Sequence, residues 1–146
     1  MKSLFDPTAH QEIKNRITAL SKDSTPTWGK MNVGQMLTHC QFPLKVGLSD
    51  KPRRYKWNIV GFLFKKSLYN DKPWRKGLPT AKVAKITDER DFEQEQTTLL
   101  SMVDAFHEKR TQQEWQPHPM FGKFTPEQWG KLEYKHLDHH LTQFGV

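Results

Sequence analysis

Seven histidines stand in the 146-residue chain: His10, His39, His107, His118, His136, His139 and His140. Three of them crowd into Lys135-His-Leu-Asp-His-His-Leu141. Imidazole nitrogen suits borderline metals such as zinc and nickel, and histidines four apart on a helix project from one face. The helical period says which pair that is. With about 100° per residue and His136 at 0°, the apolar residues Trp129, Leu132, Leu137, Leu141 and Phe144 centre near about 60°. His140 falls at about 40° and His136 lies well inside the same face. His139, at about −60°, sits on its edge, and Asp138 faces outward. His136 and His140 are therefore the expected buried pair. Unsatisfied polar groups in a core are costly, so each needs a partner. The HxxxH spacing fits a metal pair and also fits hydrogen-bonded core histidines.

A third ligand must come from another helix, and His39 is the candidate. It lies at the margin of an apolar face made by Val33, Met36, Cys40 and Leu44. Pro43 cannot donate the amide hydrogen that would bond the His39 carbonyl, so a kink or opening one turn past His39 is expected. Cys40 points about 100° away from His39 and reads as a small core hydrophobe. Glu133, one turn before His136, is placed to orient a ligand imidazole through its second nitrogen or to pair with a lysine. His118, in the rigid Gln116-Pro-His-Pro-Met120 loop, is a candidate for the mouth of the pocket. His10 and His107 fall in polar helical patterns and are expected at the surface.

The elements that carry these residues read as helices. Asp6-Pro7 caps a first helix running to about Leu20. Asn32 and Gln35 have capping-box spacing for a second helix towards Leu48, with Met31 placed to staple to Met36. A third, basic helix is expected over Tyr55 to Tyr69, followed by a long irregular crossing from Asn70 to Lys85. A fourth begins near Asp91, with Phe92, Leu99, Val103 and Phe106 on its buried side. A fifth has Thr125 as cap, Pro126 first in the helix, Gln128 completing the box and Phe124 placed against Trp129. Gly29-Lys-Met-Asn32 and Gly122-Lys-Phe-Thr125 both lead into caps, which is too short to define a repeat. No segment alternates like a strand. An all-α bundle of four long helices with a long crossover and one short extra helix accounts for the pattern, in a single domain over residues 1–146.

Composition bounds the rest. Hydrophobic residues make up 35% and charged residues 27%, as in a soluble globular protein. One cysteine excludes an internal disulfide framework and points to a reducing cytoplasm. The N-terminal sequence lacks the apolar stretch of a signal peptide. The longest greasy run, Trp57 to Phe64, is too short to span a membrane and is read as a buried helix, so no membrane partner is expected. The formal net charge is +7. Lys51 to Thr87 holds eleven basic residues against Asp71 alone, so this segment carries +10 and the remainder −3. Such a segment attracts small anions, acidic cofactors or nucleic acid, or simply keeps the protein in solution. No zinc-finger spacing, phosphate loop or RNA-stacking motif supports nucleic acid.

Trp28-Gly-Lys-Met-Asn-Val-Gly-Gln-Met-Leu-Thr-His39-Cys resembles the second helix of the DinB/YfiT-like superfamily. The segment from His118 through Thr125-Pro-Glu-Gln-Trp129 to His136-Leu-Asp-His-His140 resembles its last conserved helix. Together, with Leu78-Pro-Thr and Asp91-Phe-Glu, they look like its branch known as domain of unknown function 1569. The resemblance implies a four-helix bundle with a three-histidine site for zinc or nickel, whose ligands here would be His39, His136 and His140. The angular reading of the last helix selects the same pair independently. Some members are similar to thiol transferases using bacillithiol, mycothiol or glutathione, and homodimers are common among them. The first hypothesis is thus a metal-dependent enzyme that transfers a low-molecular-weight thiol or hydrolyses a small substrate. The alternatives are a non-enzymatic metal-stabilised binding module and a basic nucleic-acid-associated protein.

Overall fold

The computed structural model describes residues 1–55 and 59–146. Five α-helices follow one another: α1 (Pro7–Ala19), α2 (Val33–Leu48), α3 (Ile59–Lys65), α4 (Phe92–Glu108) and α5 (Pro126–Gln143). Short 3-10 turns lie at Lys66–Leu68, Lys82–Ala84 and Lys109–Thr111. The four long helices pack as a bundle, α2 against α4 and α5, α1 against α4 and α5. Among the described residues the only bridge between extended segments is the isolated pair His118 and Gly122.

Local chemistry explains where the helices begin. Asn32 Oδ1 accepts from the Gln35 amide while the Asn32 amide donates to Gln35 Oε1, a complete capping box. Thr125 and Gln128 make the same reciprocal pair at α5, with Pro126 in the first turn. Asp91 caps α4 by accepting from the Gln94 amide. Asp6 precedes α1 without a side-chain cap bond, its carboxylate accepting from the Ser3 amide instead. The helix α2 runs continuously through Pro43 to Leu48.

The core is built from the apolar faces of these helices: Ile13 and Ile17 of α1, Met36, Leu37 and Leu44 of α2, Leu99, Val103 and Phe106 of α4, Trp129, Leu137 and Leu141 of α5. One end is aromatic. Phe5 stacks on Phe106 at 5.2 Å, and Trp115 bridges Phe106 and Trp129. Gly47 lets Phe106 approach α2, because a Cβ there would lie 2.6 Å from its ring.

Two expectations are corrected. His107 is buried and His10 largely so, because α1 and α4 pack along that side. Their rings stack at 4.2 Å, His10 Nε2 lies 2.8 Å from Asp104 Oδ1, and His107 Nδ1 lies 2.8 Å from the Leu4 carbonyl. The greasy run is also not a buried helix where it is described. Tyr55 is non-helical, Trp57 lies outside the described residues, and helix α3 is shorter than expected. Within α3 Gly61 is buried, while Ile59, Phe62, Leu63 and Phe64 are exposed. No described helix is long and apolar enough to cross a membrane.

Candidate metal centre

His39 lies near the middle of α2, and His136 and His140 occupy successive turns of α5. The contact between these two helices brings all three together. One ring nitrogen of each lies within 4.8 Å of the others, and all three residues are buried. The expected pair of α5 is therefore the inward one, while His139 is half-buried between Trp28 and Trp74.

The partners of the three rings fix where their lone pairs point. His39 Nδ1 lies 2.8 Å from the Ala84 carbonyl, which can only accept, so Nδ1 carries the proton and Nε2 is bare. His140 Nδ1 lies 2.9 Å from Gln143 Oε1, while the Gln143 amide nitrogen donates to the Trp28 carbonyl. His140 Nδ1 is therefore the donor, and its Nε2 is bare as well. Burial holds all three rings in the neutral form that binds metal. It lowers the His39 pKa, takes His140 down to about 3 and pushes His136 well below the ordinary imidazole range.

His136 Nε2 faces His39 Nε2 at 3.1 Å. A proton on His136 Nε2 would satisfy that contact, but it would leave His136 Nδ1 a buried acceptor without a partner. A cation at the point of convergence satisfies both bare nitrogens and moves the His136 proton to Nδ1. The 3.1 Å separation is close to the roughly 3.3 Å between tetrahedral ligands whose bonds are about 2.0–2.1 Å long. Donor set and protonation suit a divalent ion, as does the His39–His136 spacing.

The expected orienting role of Glu133 has no hydrogen bond to His136 Nδ1 behind it in this structure. Glu133 is fully buried one turn earlier on α5, and neither carboxylate oxygen has a hydrogen-bond partner. Burial alone drives its pKa well above the usual carboxylate range. Trp129 Nε1, one further turn back, is also buried without a partner. Two donors and a two-oxygen acceptor thus share one helix face unjoined.

Other expected positions fall elsewhere. Cys40 is fully buried, its Sγ 3.5 Å from Met36 Sδ, and its pKa is strongly raised by burial and by Glu133. Such a thiol is a packing group and not a nucleophile. His118 does not line the mouth of the site. It packs on Phe121, Phe124 and Trp129 at the aromatic end, and its Nδ1 accepts from the Met120 amide. Sequence reasoning missed the groups that support the ligands: Ala84, Gln143 and Trp28. A signal existed for Gln143, three residues beyond His140 on the same helix. Ala84 belongs to the long crossing, where no periodicity points to a contact.

The chain matches, over residues 2–145, the family described as a protein of unknown function, DUF1569. It belongs to that family. Membership agrees with the DinB/YfiT-like resemblance carried by the two histidine blocks. No curated protein and no solved structure matches the chain. In this DUF1569 member the crossing between α2 and α4 forms the cover of the histidine cluster. Trp74 lies edge-on to His136 and His139 at 5.9 and 5.7 Å. Lys135 holds that cover down, its buried ammonium donating to the Ser67 and Asn70 carbonyls and to Asn70 Oδ1.

Proposed function

We propose that His39, His136 and His140 hold one divalent metal ion, zinc or nickel, through their Nε2 atoms, and that this protein is a metal-dependent enzyme acting on a small molecule. The observation that carries the reading is the convergence of one ring nitrogen from each of three buried histidines, with Nδ1 of His39 and His140 engaged by hydrogen-bond acceptors. Three protein ligands leave coordination positions open, and a metal so held acts as a Lewis acid on a water or thiol. Transfer of a low-molecular-weight thiol of the bacillithiol, mycothiol or glutathione type is the preferred reaction, with hydrolysis of a small substrate as the related one. Trp74 and Trp28 flank His139 beside the cluster. Lys76 lies 4.4 Å over the Trp28 ring, and exposed Lys72 and Arg75 share its segment. These cations are placed to receive the carboxylates of an acidic thiol.

One observation favours a second reading, a metal-stabilised binding module without catalysis: the histidines are buried under Trp74. Elemental analysis of untagged protein, wild type beside His136→Ala, tests the metal. About one zinc or nickel per chain, lost in the variant, is expected. A metal-free wild type that takes up none on addition would overturn the site. Thiol consumption against model electrophiles then separates the two readings. Activity lost in His140→Ala supports the enzyme, and a fully loaded protein inert to every thiol and ester offered supports the module.

A further inference from the structure

Helix α3 is amphipathic in the inverted sense. With about 100° per residue and Ile59 at 0°, Phe62 and Leu63 fall at about −60° and 40°, on one face, while Gly61 lies nearly opposite at about 200°. Gly61 is buried and Ile59, Phe62 and Leu63 are exposed, so this apolar face is turned outward. Ile59, Phe62, Leu63 and Phe64 are 56, 63, 66 and 59% exposed. Scattered exposed apolar residues are ordinary, but three of these lie on one face of a seven-residue helix, with Phe64 exposed at its flank, and together they make an exposed apolar patch.

The surrounding charge says which partner. Residues 51–70 include six lysines and arginines and no acidic residue. Lys66, directly after α3 in the chain, is exposed, as are Lys51 and Arg54 earlier in the sequence. Lys123 is exposed beside it, since its carbonyl accepts from the Lys65 ammonium, which also lies over Phe124. Asp71, the nearest acidic residue after α3, is paired with the N-terminal amine. A second copy of the chain docking through this face would bring like charges together across a two-fold axis. Nucleic acid would meet the cations but gain nothing from Ile59 and Leu63. Exposed aliphatic and aromatic side chains with lysines beside them match the boundary between lipid headgroups and acyl chains.

We propose that the outward face of α3, Ile59, Phe62 and Leu63, with exposed Phe64 at its flank, seats this protein on an anionic lipid surface, with Lys66 and Lys123 contacting the headgroups. The contact is peripheral, and it is independent of the metal reading.

Co-sedimentation of the full chain with phosphatidylglycerol-containing vesicles and with pure phosphatidylcholine vesicles, at low and high salt, tests it. The expected result is binding to anionic vesicles that weakens with salt, and at least tenfold weaker binding to phosphatidylcholine. The double variant Ile59→Ser/Leu63→Ser should lose at least tenfold of the anionic binding while keeping the circular dichroism spectrum and metal content of wild type. Equal binding by wild type and variant would overturn the proposal, as would no binding to anionic vesicles. So would a wild-type dimer in solution that the double variant converts to monomer, because the face would then be covered by a second copy.

Discussion

Glu133 carries a conflict that a single substitution resolves. A buried carboxyl group without a hydrogen bond destabilises the fold, and its replacement by a hydrocarbon of similar volume relieves that penalty. A carboxylate behind a ligand imidazole strengthens metal binding, and losing one typically costs 10–100-fold in affinity. Glu133→Leu is therefore expected to raise the urea midpoint of the metal-free protein and to lower metal affinity about 10–100-fold in chelator competition. Unchanged affinity would reduce Glu133 to an uncompensated core group. Gly29 offers a second test of how the ligands are supported. Its φ is +88°, and a Cβ would lie 2.5 Å from the Gln143 amide nitrogen, the end of the side chain that orients His140. Gly29→Ala should cost about 1–2 kcal/mol from the left-handed backbone and should weaken metal binding as well. Gly145→Ala, at φ +79° with nothing within 4 Å, shares the backbone strain and should leave metal binding unchanged.

The crossing from Ser67 to Lys85 is an element with little regular structure, held on α5 by few ties. Lys135 supplies three hydrogen bonds, and Trp74 Nε1 donates to the Ser67 carbonyl. Lys135→Met keeps the aliphatic stem and removes all three bonds from the ammonium. Limited trypsin cleavage at Arg75 and Lys76, both exposed, should then accelerate several-fold while the helices stay resistant. An unchanged cleavage rate would show that the other ties, Trp74 packing, the Ala84 carbonyl on His39 and Asp71 on the N-terminal amine, hold the cover without Lys135. Elements of this kind also mark where the sequence stopped being legible. Capping boxes at Asn32 and Thr125 and the inward pair His136 and His140 could be read because their determinants lie within four residues. The stack of His10 on His107 could not, since it exists only where α1 meets α4. Nor could the bond from His39 to Ala84, whose partner sits in a segment without a period. The outward face of α3 was misread for a physical reason: hydropathy marks a segment as greasy but does not say which side the bundle covers.

Acid is the stress to which the whole molecule is most exposed. The chain already carries a formal charge of +7, and its buried histidines resist protonation in the folded state. His118 is a clean probe because it packs at the aromatic end and takes no part in the proposed metal site. Burial, and next the positive charge of Arg53, lower its pKa from 6.5 to about 4. Between those values the unfolded chain binds a proton that the folded chain does not, so stability falls as the pH falls. The contribution is intact above about pH 6.5 and is lost on descending to about pH 4, where it amounts to roughly 3 kcal/mol. His118→Gln keeps an acceptor for the Met120 amide and removes the titration. Urea unfolding of the metal-free proteins should show the variant less stable than wild type at pH 7.5, because the ring packing is lost. That gap should close by about 2–3 kcal/mol on going to pH 4.5, because only wild type loses the His118 contribution. A gap that stays constant over this range would mean that His118 binds its proton equally well in both states, and that the acid response belongs to the other buried histidines.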